Sequence, residues 1–269
     1  EQAGEAFFNM RQDEKEDARL KAEKIADDLQ EEEVLRDNFF SGITHDLRNP
    51  INNIMMAVDF LQEYEVSQKS ASGLLKAIKA SAQRAEALIR DLLDINLIKS
   101  GNQLPVHPEV SDLCELVRRS VASFKPEVQE RIQVRMSVPE FNGYWDSSLL
   151  TRAIDNLLQN AVKYGDSTLP ITVKVVREEQ QAIVSVHNEG TPIPEDKRST
   201  LFNRFYRADE ENASGWGLGL ALVQGIVQAH QGKIDLQSGE GKGTTFTLRI
   251  PAGISRSNDG MQELQGTEI

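Results

Sequence analysis

Between residues 39 and 99 the apolar residues recur every three or four positions, on faces too broad for two helices to cover by themselves. From about Ser70 to Lys99, Ile78, Ala85, Leu88, Leu92 and Ile95 share one helical face, and Leu75, Ala82, Ile89 and Leu93 lie beside it. The preceding segment, from Phe39 to about Leu61, carries Ile43, Leu47, Ile54, Val58 and Leu61 on one side. Two copies of such a hairpin would bury these stripes in a four-helix bundle, so the pattern predicts a homodimer. Upstream, residues 1–37 are rich in Glu, Lys, Asp, Ala and Gln, with Ala18, Ala22, Ile25 and Leu29 spaced by four and three. Charged Glu32 and Arg36 interrupt that seam before Phe39 and Ile43 resume it, which predicts a short, imperfect coiled coil.

Ser100-Gly-Asn102, followed by Pro105 and Pro108, ends the second helix and reads as a hinge. Beyond it the texture changes. A helix is expected at about 110–123, then the alternating run Ile132, Val134, Met136, Val138, and a helix at 147–163. Strands are expected at 171–176, 182–187, 233–238 and 244–250, with a helix at 217–230. This is an α/β sandwich of roughly 150 residues. The fold class is therefore multidomain α+β: a coiled-coil helix (1–37), a dimerising hairpin (38–101), an α/β sandwich (102–251) and a patternless tail (252–269) expected to be disordered.

Composition narrows the function. A net charge of −12 argues against nucleic acid as the main ligand, because phosphates would be repelled. Residues 1–40 hold 13 acidic and 6 basic residues, so much of that charge is a solvated helix face. No run approaches the ~18 apolar residues that span a bilayer. The single cysteine, Cys114, supports neither a disulfide framework nor a cysteine metal site, which fits a cytoplasmic setting. The chain starts at Glu1 and reads as a fragment, whose full-length protein could be anchored at an inner membrane.

Three groups of residues carry chemistry. On the first helix His45 lies opposite the apolar face, with Asp46 adjacent, Asn49 one turn on and Pro50 expected to bend the helix. Neutral imidazole is a nucleophile near pH 7, and a carboxylate that holds one ring N–H leaves the other nitrogen free to attack. His107, His187 and His230 share no ligand-like spacing, so they read as surface or structural residues rather than a metal site. On the 147–163 helix, Asn156, Asn160, Lys163 and Tyr164 share a face opposite Leu150, Ile154, Leu157, Leu158 and Ala161. An amide oxygen can ligate Mg²⁺ beside phosphates, lysine can neutralise phosphate, and a phenol can stack on a base. Finally, Val186-His-Asn-Glu-Gly-Thr-Pro-Ile-Pro194 leaves a strand, and Gly215-Trp-Gly217-Leu-Gly219-Leu220 opens a helix, where phosphate is favoured. That glycine run follows a loop rather than a strand, which argues against a dinucleotide-binding βαβ site.

In this order the blocks resemble those of a sensor histidine kinase of two-component signalling, over about 210 residues from Phe39 to Pro251. His45-Asp-Leu-Arg-Asn-Pro50 resembles the phospho-acceptor block, and Asp155-Asn-Leu-Leu-Gln-Asn-Ala-Val-Lys-Tyr164 the asparagine-rich ATP block. Asn188 to Pro194, Leu201-Phe-Asn-Arg-Phe-Tyr-Arg207 and Gly215 to Leu220 resemble the adenine pocket, lid and phosphate loop; Gly241-Lys-Gly-Thr-Thr-Phe246 resembles the closing strand. The resemblance implies that His45 accepts the γ-phosphoryl of ATP, that Asp46 acts as base or orienter, and that Asn49 positions water for dephosphorylating a partner. It implies Mg²⁺ on Asn160, and nucleotide lined by Asn156, Lys163, Tyr164, Asn188, Gly190, Ile193, Gly215, Gly217, Leu218 and Gly219. Arg204 or Arg207 would reach phosphates from the lid, and Thr244 would sit under the adenine. The implied partners are a second copy of the chain and a response-regulator receiver domain, with an upstream sensor domain absent from this chain.

Two positions depart from the family pattern: Asn188 stands where an aspartate is usual and Pro192 where a glycine is usual. An amide oxygen still accepts a hydrogen bond from the adenine amino group but without charge assistance, so weaker or less adenine-selective binding is expected. Gyrase- and chaperone-type ATPases resemble the same nucleotide fold but place a glutamate where this chain has Asn156, which cannot act as a base. A phosphatase-dominant or non-catalytic dimeric scaffold is the alternative from another class.

Overall fold

A computed structural model describes residues 41–198, 201–202 and 219–253, together with Arg19, Lys24 and Gln30, which are helical. The expected coiled coil, apart from those three residues, and the expected tail beyond residue 253 lie outside the described residues. The chain divides into two compact units; their described parts are 41–88, and 89–198 with 201–202 and 219–253.

The first unit is the hairpin. Helix α1 is described over 41–63 and runs through Pro50 without interruption. Ser67 then caps α2 (Gln68–Lys99), its Oγ accepting from the Ser70 N–H at 3.2 Å. Ala57 is buried, with Ile54, Val58 and Leu61 half-buried as the α1 periodicity requires. One hairpin leaves Ile51, Met55, Met56, Phe60, Tyr64 and Leu75 exposed, the surplus apolar surface that the broad stripes predict.

The second unit is an α/β sandwich. Its main sheet has the order β2 (Ile132–Met136), β4 (Ile171–Glu178), β5 (Gln181–Asn188), β7 (Gly243–Pro251), β6 (Lys233–Gly239). Among the described strands of this sheet, only the β2–β4 pair is parallel. The helices α3 (Leu113–Ala122), α5 (Ser147–Tyr164) and α7 (Gly219–Ala229) supply the other layer. Alternation sorts the strands: Val173, Val175, Val184, Val186, Phe246, Leu248 and Ile250 are buried beneath the helices. The opposite face is polar, with Ser185 hydrogen-bonded to Thr247 (3.1 Å) and His187 Nδ1 to Thr245 (2.9 Å).

The expected helix at 110–123 starts later than the pattern suggested. Residues Glu109–Asp112 form strand β1, antiparallel to β3 (Asn142–Trp145), a pair that periodicity did not reveal. The reason is Asp112, whose carboxylate accepts from the N–H of Cys114 (3.0 Å) and of Phe141 (2.7 Å), capping α3 and tying it to the β3 side. Short helices α4 (Pro126–Gln129) and α6 (Glu195–Arg198) were also not foreseen.

Two anchors set the position of α5. Asp146 caps it, accepting from Leu149 N–H (3.0 Å) and His107 N–H (3.0 Å), while its own N–H donates to His230 Nε2 (3.0 Å). His230 is fully buried and donates from Nδ1 to the Ile226 carbonyl (2.8 Å), so it is neutral with one tautomer fixed. On the other flank, Arg152 pairs with Asp91 (2.5 Å) and Asp94 (2.7 Å) on the last turns of α2. Ile95 is buried there, and a side chain at Gly225 of α7 would strike Ile98. Residues Ile89–Lys99 thus pack as part of the second unit. The helix then stops at Gly101, whose φ of 76° favours glycine, with Asn102 N–H returning to the Leu97 carbonyl (3.1 Å).

Candidate functional site

His45 stands on the exposed side of α1, with 71% of its side chain accessible. Its Nδ1 lies 3.0 Å from Asp46 Oδ1 and 3.5 Å from Asn49 Nδ2. Only one of these can be the working contact. A protonated Nδ1 donates to the carboxylate, which excludes a second donor, and the shorter, charge-assisted bond to Asp46 wins. The tautomer then carries its proton on Nδ1 and leaves Nε2 unprotonated as the nucleophile. Asn49 remains beside the ring, available to hold water or another ligand.

The second cluster is built on the C-terminal half of α5 and the adjoining sheet end. Buried Ala153, Ile154, Leu157, Leu158 and Ala161 fix the helix rotation, which leaves Asn156 and Asn160 half-buried and Lys163 and Tyr164 exposed. Asn156 donates from Nδ2 to the Arg152 carbonyl (2.9 Å), so its Oδ1 faces Gly219, where a Cβ would come within 2.7 Å. A side chain at Gly219, at the start of α7, would therefore make the Asn156 amide shift. The Asn160 amide has no hydrogen-bond partner among the described residues. Lys163 Nζ donates to the Tyr164 hydroxyl (2.9 Å) and lies 4.7 Å from the ring centroid.

Immediately after α5, Gly165 bridges to Gly190, and Asp166 N–H donates to the Glu189 carbonyl (2.7 Å). A Cβ on Gly190 would come 2.5 Å from the Tyr164 carbonyl. This close crossing holds the chain after β5 against the end of α5 and places Asn188, 7% exposed, beneath it. Asn188 Nδ2 donates to the Glu189 carbonyl (3.3 Å), which leaves its Oδ1 as the free acceptor. Thr244, directly opposite in the β5–β7 ladder, is 6% exposed. Ile193 is half-buried beyond this turn, its N–H donating to Ser238 Oγ (2.9 Å) and its carbonyl accepting from Arg198 Nε (3.1 Å).

Most of the residues singled out in the sequence are thus gathered in two places. Asn156, Asn160, Lys163, Tyr164, Asn188, Gly190, Ile193, Gly219 and Thr244 lie within the second unit; His45, Asp46 and Asn49 share one helix turn of the first. Arg204, Arg207, Gly215, Gly217 and Leu218 lie outside the described residues. Sequence reasoning missed Ser238 and Arg198, which hold the Ile193 segment. The register of the β6–β7 hairpin, Ser238 opposite Thr244, is the signal that would have found Ser238.

The chemistry available is specific. Asp155, next to Asn156, is turned toward Ser120 of α3, and burial raises its carboxyl above the usual range. It offers no base to the Asn156–Asn160 face. Among the described residues there is no group of three His, Cys, Asp or Glu side chains able to hold a metal ion by themselves. A divalent ion at Asn160 would need phosphate oxygens as its other ligands, which fits a metal carried in with a nucleotide. No described helix is long and apolar enough to cross a membrane.

Comparison with known proteins agrees with this arrangement. Residues 35–101 match the His Kinase A (phospho-acceptor) domain, and residues 145–254 match the histidine kinase-, DNA gyrase B- and HSP90-like ATPase family. A bacteriophytochrome of Pseudomonas aeruginosa is 32% identical over 81% of this chain and 30% of its own length. The sensor histidine kinase CusS of Escherichia coli O6:H1 is 31% identical over 80% of this chain and 45% of its own length. Full-length ShkA, whose structure was solved with AMPPNP, shares the fold with a TM-score of 0.58 at 21% identity, covering 81% of this chain and 46% of that one. The two matches define a phospho-acceptor hairpin followed by a histidine kinase-, DNA gyrase B- and HSP90-like ATPase domain. The chain belongs to the sensor histidine kinases of two-component systems. It spans about a third to a half of the length of these relatives.

Proposed function

We propose that this chain is the transmitter of an ATP-dependent protein-histidine autokinase. The observation that carries the reading is His45: an exposed imidazole whose Nδ1 is occupied by Asp46, beside a phospho-acceptor family match. MgATP is the substrate. Asn160 would ligate the Mg²⁺ that accompanies the triphosphate, Lys163 would neutralise phosphate, and Tyr164, Asn188, Ile193 and Thr244 would line the base. Asn156, Gly190 and Gly219 would shape the cavity. Arg204, Arg207, Gly215, Gly217 and Leu218 are assigned to the lid and phosphate loop on the sequence resemblance alone.

In the transfer, the Nε2 lone pair attacks the γ-phosphorus, the bond to the β,γ-bridging oxygen breaks, and ADP leaves with that electron pair. The imidazole becomes cationic on forming the P–N bond, and Asp46 stabilises it through the Nδ1 proton. With no carboxylate base on the Asn156–Asn160 face, catalysis rests on positioning and charge neutralisation rather than on activating water. The phosphoryl group then passes to an aspartate of a response-regulator receiver domain. Two chains supply the bundle, since one hairpin leaves Met55, Met56 and Phe60 exposed. The domain assignment that follows is a signalling helix over 1–37, a phosphotransfer hairpin over 38–101 and an ATP-binding domain over 102–251, in a cytoplasmic fragment of a longer protein.

A second activity has its own observation: Asn49 stands beside the His45 ring, where it could orient water against a regulator's acyl phosphate. The test is incubation with γ-labelled ATP and Mg²⁺, alongside His45→Ala and Asn160→Ala. Acid-labile, alkali-stable label lost in both variants is expected. Nucleotide binding without label would transfer the assignment to the phosphatase or scaffold reading.

A further inference from the structure

At the end of the sheet nearest Asn188, three strands place polar side chains in one row: Ser238 on β6, Thr244 on β7 and Asn188 on β5. Thr244 and Asn188 are almost completely buried, and Ser238 is half-buried. Such a row beneath an apolar helical layer needs its hydrogen bonds accounted for. Ser238 Oγ accepts from the Ile193 N–H (2.9 Å) and lies 2.8 Å from Thr244 Oγ1. Each hydroxyl has one hydrogen to give, and neither has another protein partner among the described residues.

Two arrangements are open to the pair. If Thr244 donates to Ser238, the Ser238 hydrogen is left without an acceptor and the Thr244 oxygen meets the pocket only as an acceptor. If Ser238 donates to Thr244, the sequence Ile193 N–H to Ser238 O–H to Thr244 O–H runs in one direction, and the last hydrogen is free at the position opposite Asn188. Chains aligned in this way polarise and strengthen each member. The neighbouring Asn188 gives one Nδ2 hydrogen to the Glu189 carbonyl, and its Oδ1 receives no donor among the described residues, so it is the open acceptor. The pocket wall then offers an acceptor and a donor side by side. An amino group beside a bare ring nitrogen, as on the edge of adenine, satisfies both. A carbonyl beside a ring N–H, as in guanine, satisfies neither.

We propose that Ser238 is a positioning residue for base recognition: it directs the Thr244 hydroxyl hydrogen toward the purine ring nitrogen next to the amino group. The inference rests on the reading of this domain as an ATP site, and deepens it by naming what sets the base preference. Ser238 also holds Ile193, so loss of its hydroxyl carries a structural component that the test must separate.

The experiment measures dissociation constants of the full chain by calorimetry for ATP and for 1-deaza-ATP, in which that ring nitrogen is replaced by C–H. Wild type is expected to prefer ATP by about fivefold, the worth of one neutral hydrogen bond. In Ser238→Ala the preference should shrink to under about twofold, whatever happens to overall affinity. Ser238→Thr, which keeps the hydroxyl, should restore it. An equal loss for both nucleotides in Ser238→Ala, with the preference intact, would reduce Ser238 to a loop anchor and overturn the proposal. Equal affinities in wild type would overturn it by removing the Thr244 donor. A wild-type chain that binds neither nucleotide would instead refute the ATP site itself.

Discussion

Arg152 joins two stretches of chain that the sequence places in different elements, and replacing it with methionine isolates what that junction contributes. Its guanidinium meets Asp91 at 2.5 Å and Asp94 at 2.7 Å, with side-chain exposures of 21% for Arg152, 31% for Asp91 and 16% for Asp94. An exposed pair of this kind would contribute under about 1 kcal/mol, whereas breaking a buried one costs about 3–5 kcal/mol. At this intermediate burial, and with two carboxylates orphaned rather than one, a loss of about 2 kcal/mol is expected. For a unit of this size that lowers Tm by about 4–8 °C. Acid gives the prediction its distinctive mark. Burial already pushes the Asp91 carboxyl above its ordinary value near 3.8, outweighing the pull of Arg152. Without the arginine it rises further. A group whose folded pKa is raised contributes stability that is fully present below its unfolded pKa and lost as pH climbs through the folded one. The deficit of Arg152→Met against wild type should therefore be larger at pH 7 than at pH 5, shrinking as pH falls toward the raised Asp91 pKa. Urea unfolding followed by tryptophan fluorescence, to which the buried Trp145 contributes, would measure both. Adding Asp91→Asn should recover about half of the loss. A deficit below about 0.5 kcal/mol, or one identical at the two pH values, would refute the reasoning.

His230 carries a second pH dependence of opposite sign. Burial lowers its pKa below 6.5, so the unfolded chain binds a proton that the folded one refuses. Stability from this group is complete above about pH 6.5 and falls as pH drops toward the lowered folded value. His230→Gln should flatten the stability–pH curve between pH 7 and 5, and an unchanged slope would show that His230 does not govern it. At the nucleotide pocket, Asn188→Asp replaces a neutral acceptor with a charged one. It should tighten ATP about fivefold and widen the preference for ATP over GTP in a competition assay. Unchanged affinity and selectivity would place the base elsewhere.

Much of the fold was legible because periodicity reports burial directly. The second helix was expected from about Ser70 and observed from Gln68, and all four strands of the 171–250 region fall where alternation placed them. The short β1–β3 pair escaped because four residues carry too little alternation to outvote the helical pattern that follows. The Asn156–Asn160–Lys163–Tyr164 face was legible for a related reason: one amphipathic helix fixes its own polar side once its apolar side is buried. Ser238 escaped because its partners, Ile193 and Thr244, come to it across strands and a loop.

The sequence by itself determined the longer helices and strands, the sides they bury, and that a histidine next to a carboxylate precedes an asparagine-rich helix. These are local matters, set by period, capping and spacing along one chain segment. Only the tertiary structure decided that Gly219 of α7 comes against the Asn156 amide, and that Ser238 meets the Ile193 N–H. The same holds for the last turns of α2, which Arg152 holds within the α/β unit. Hydrogen bonds and ion pairs depend on separations of a few tenths of an ångström between groups distant in sequence, and no local pattern encodes those distances.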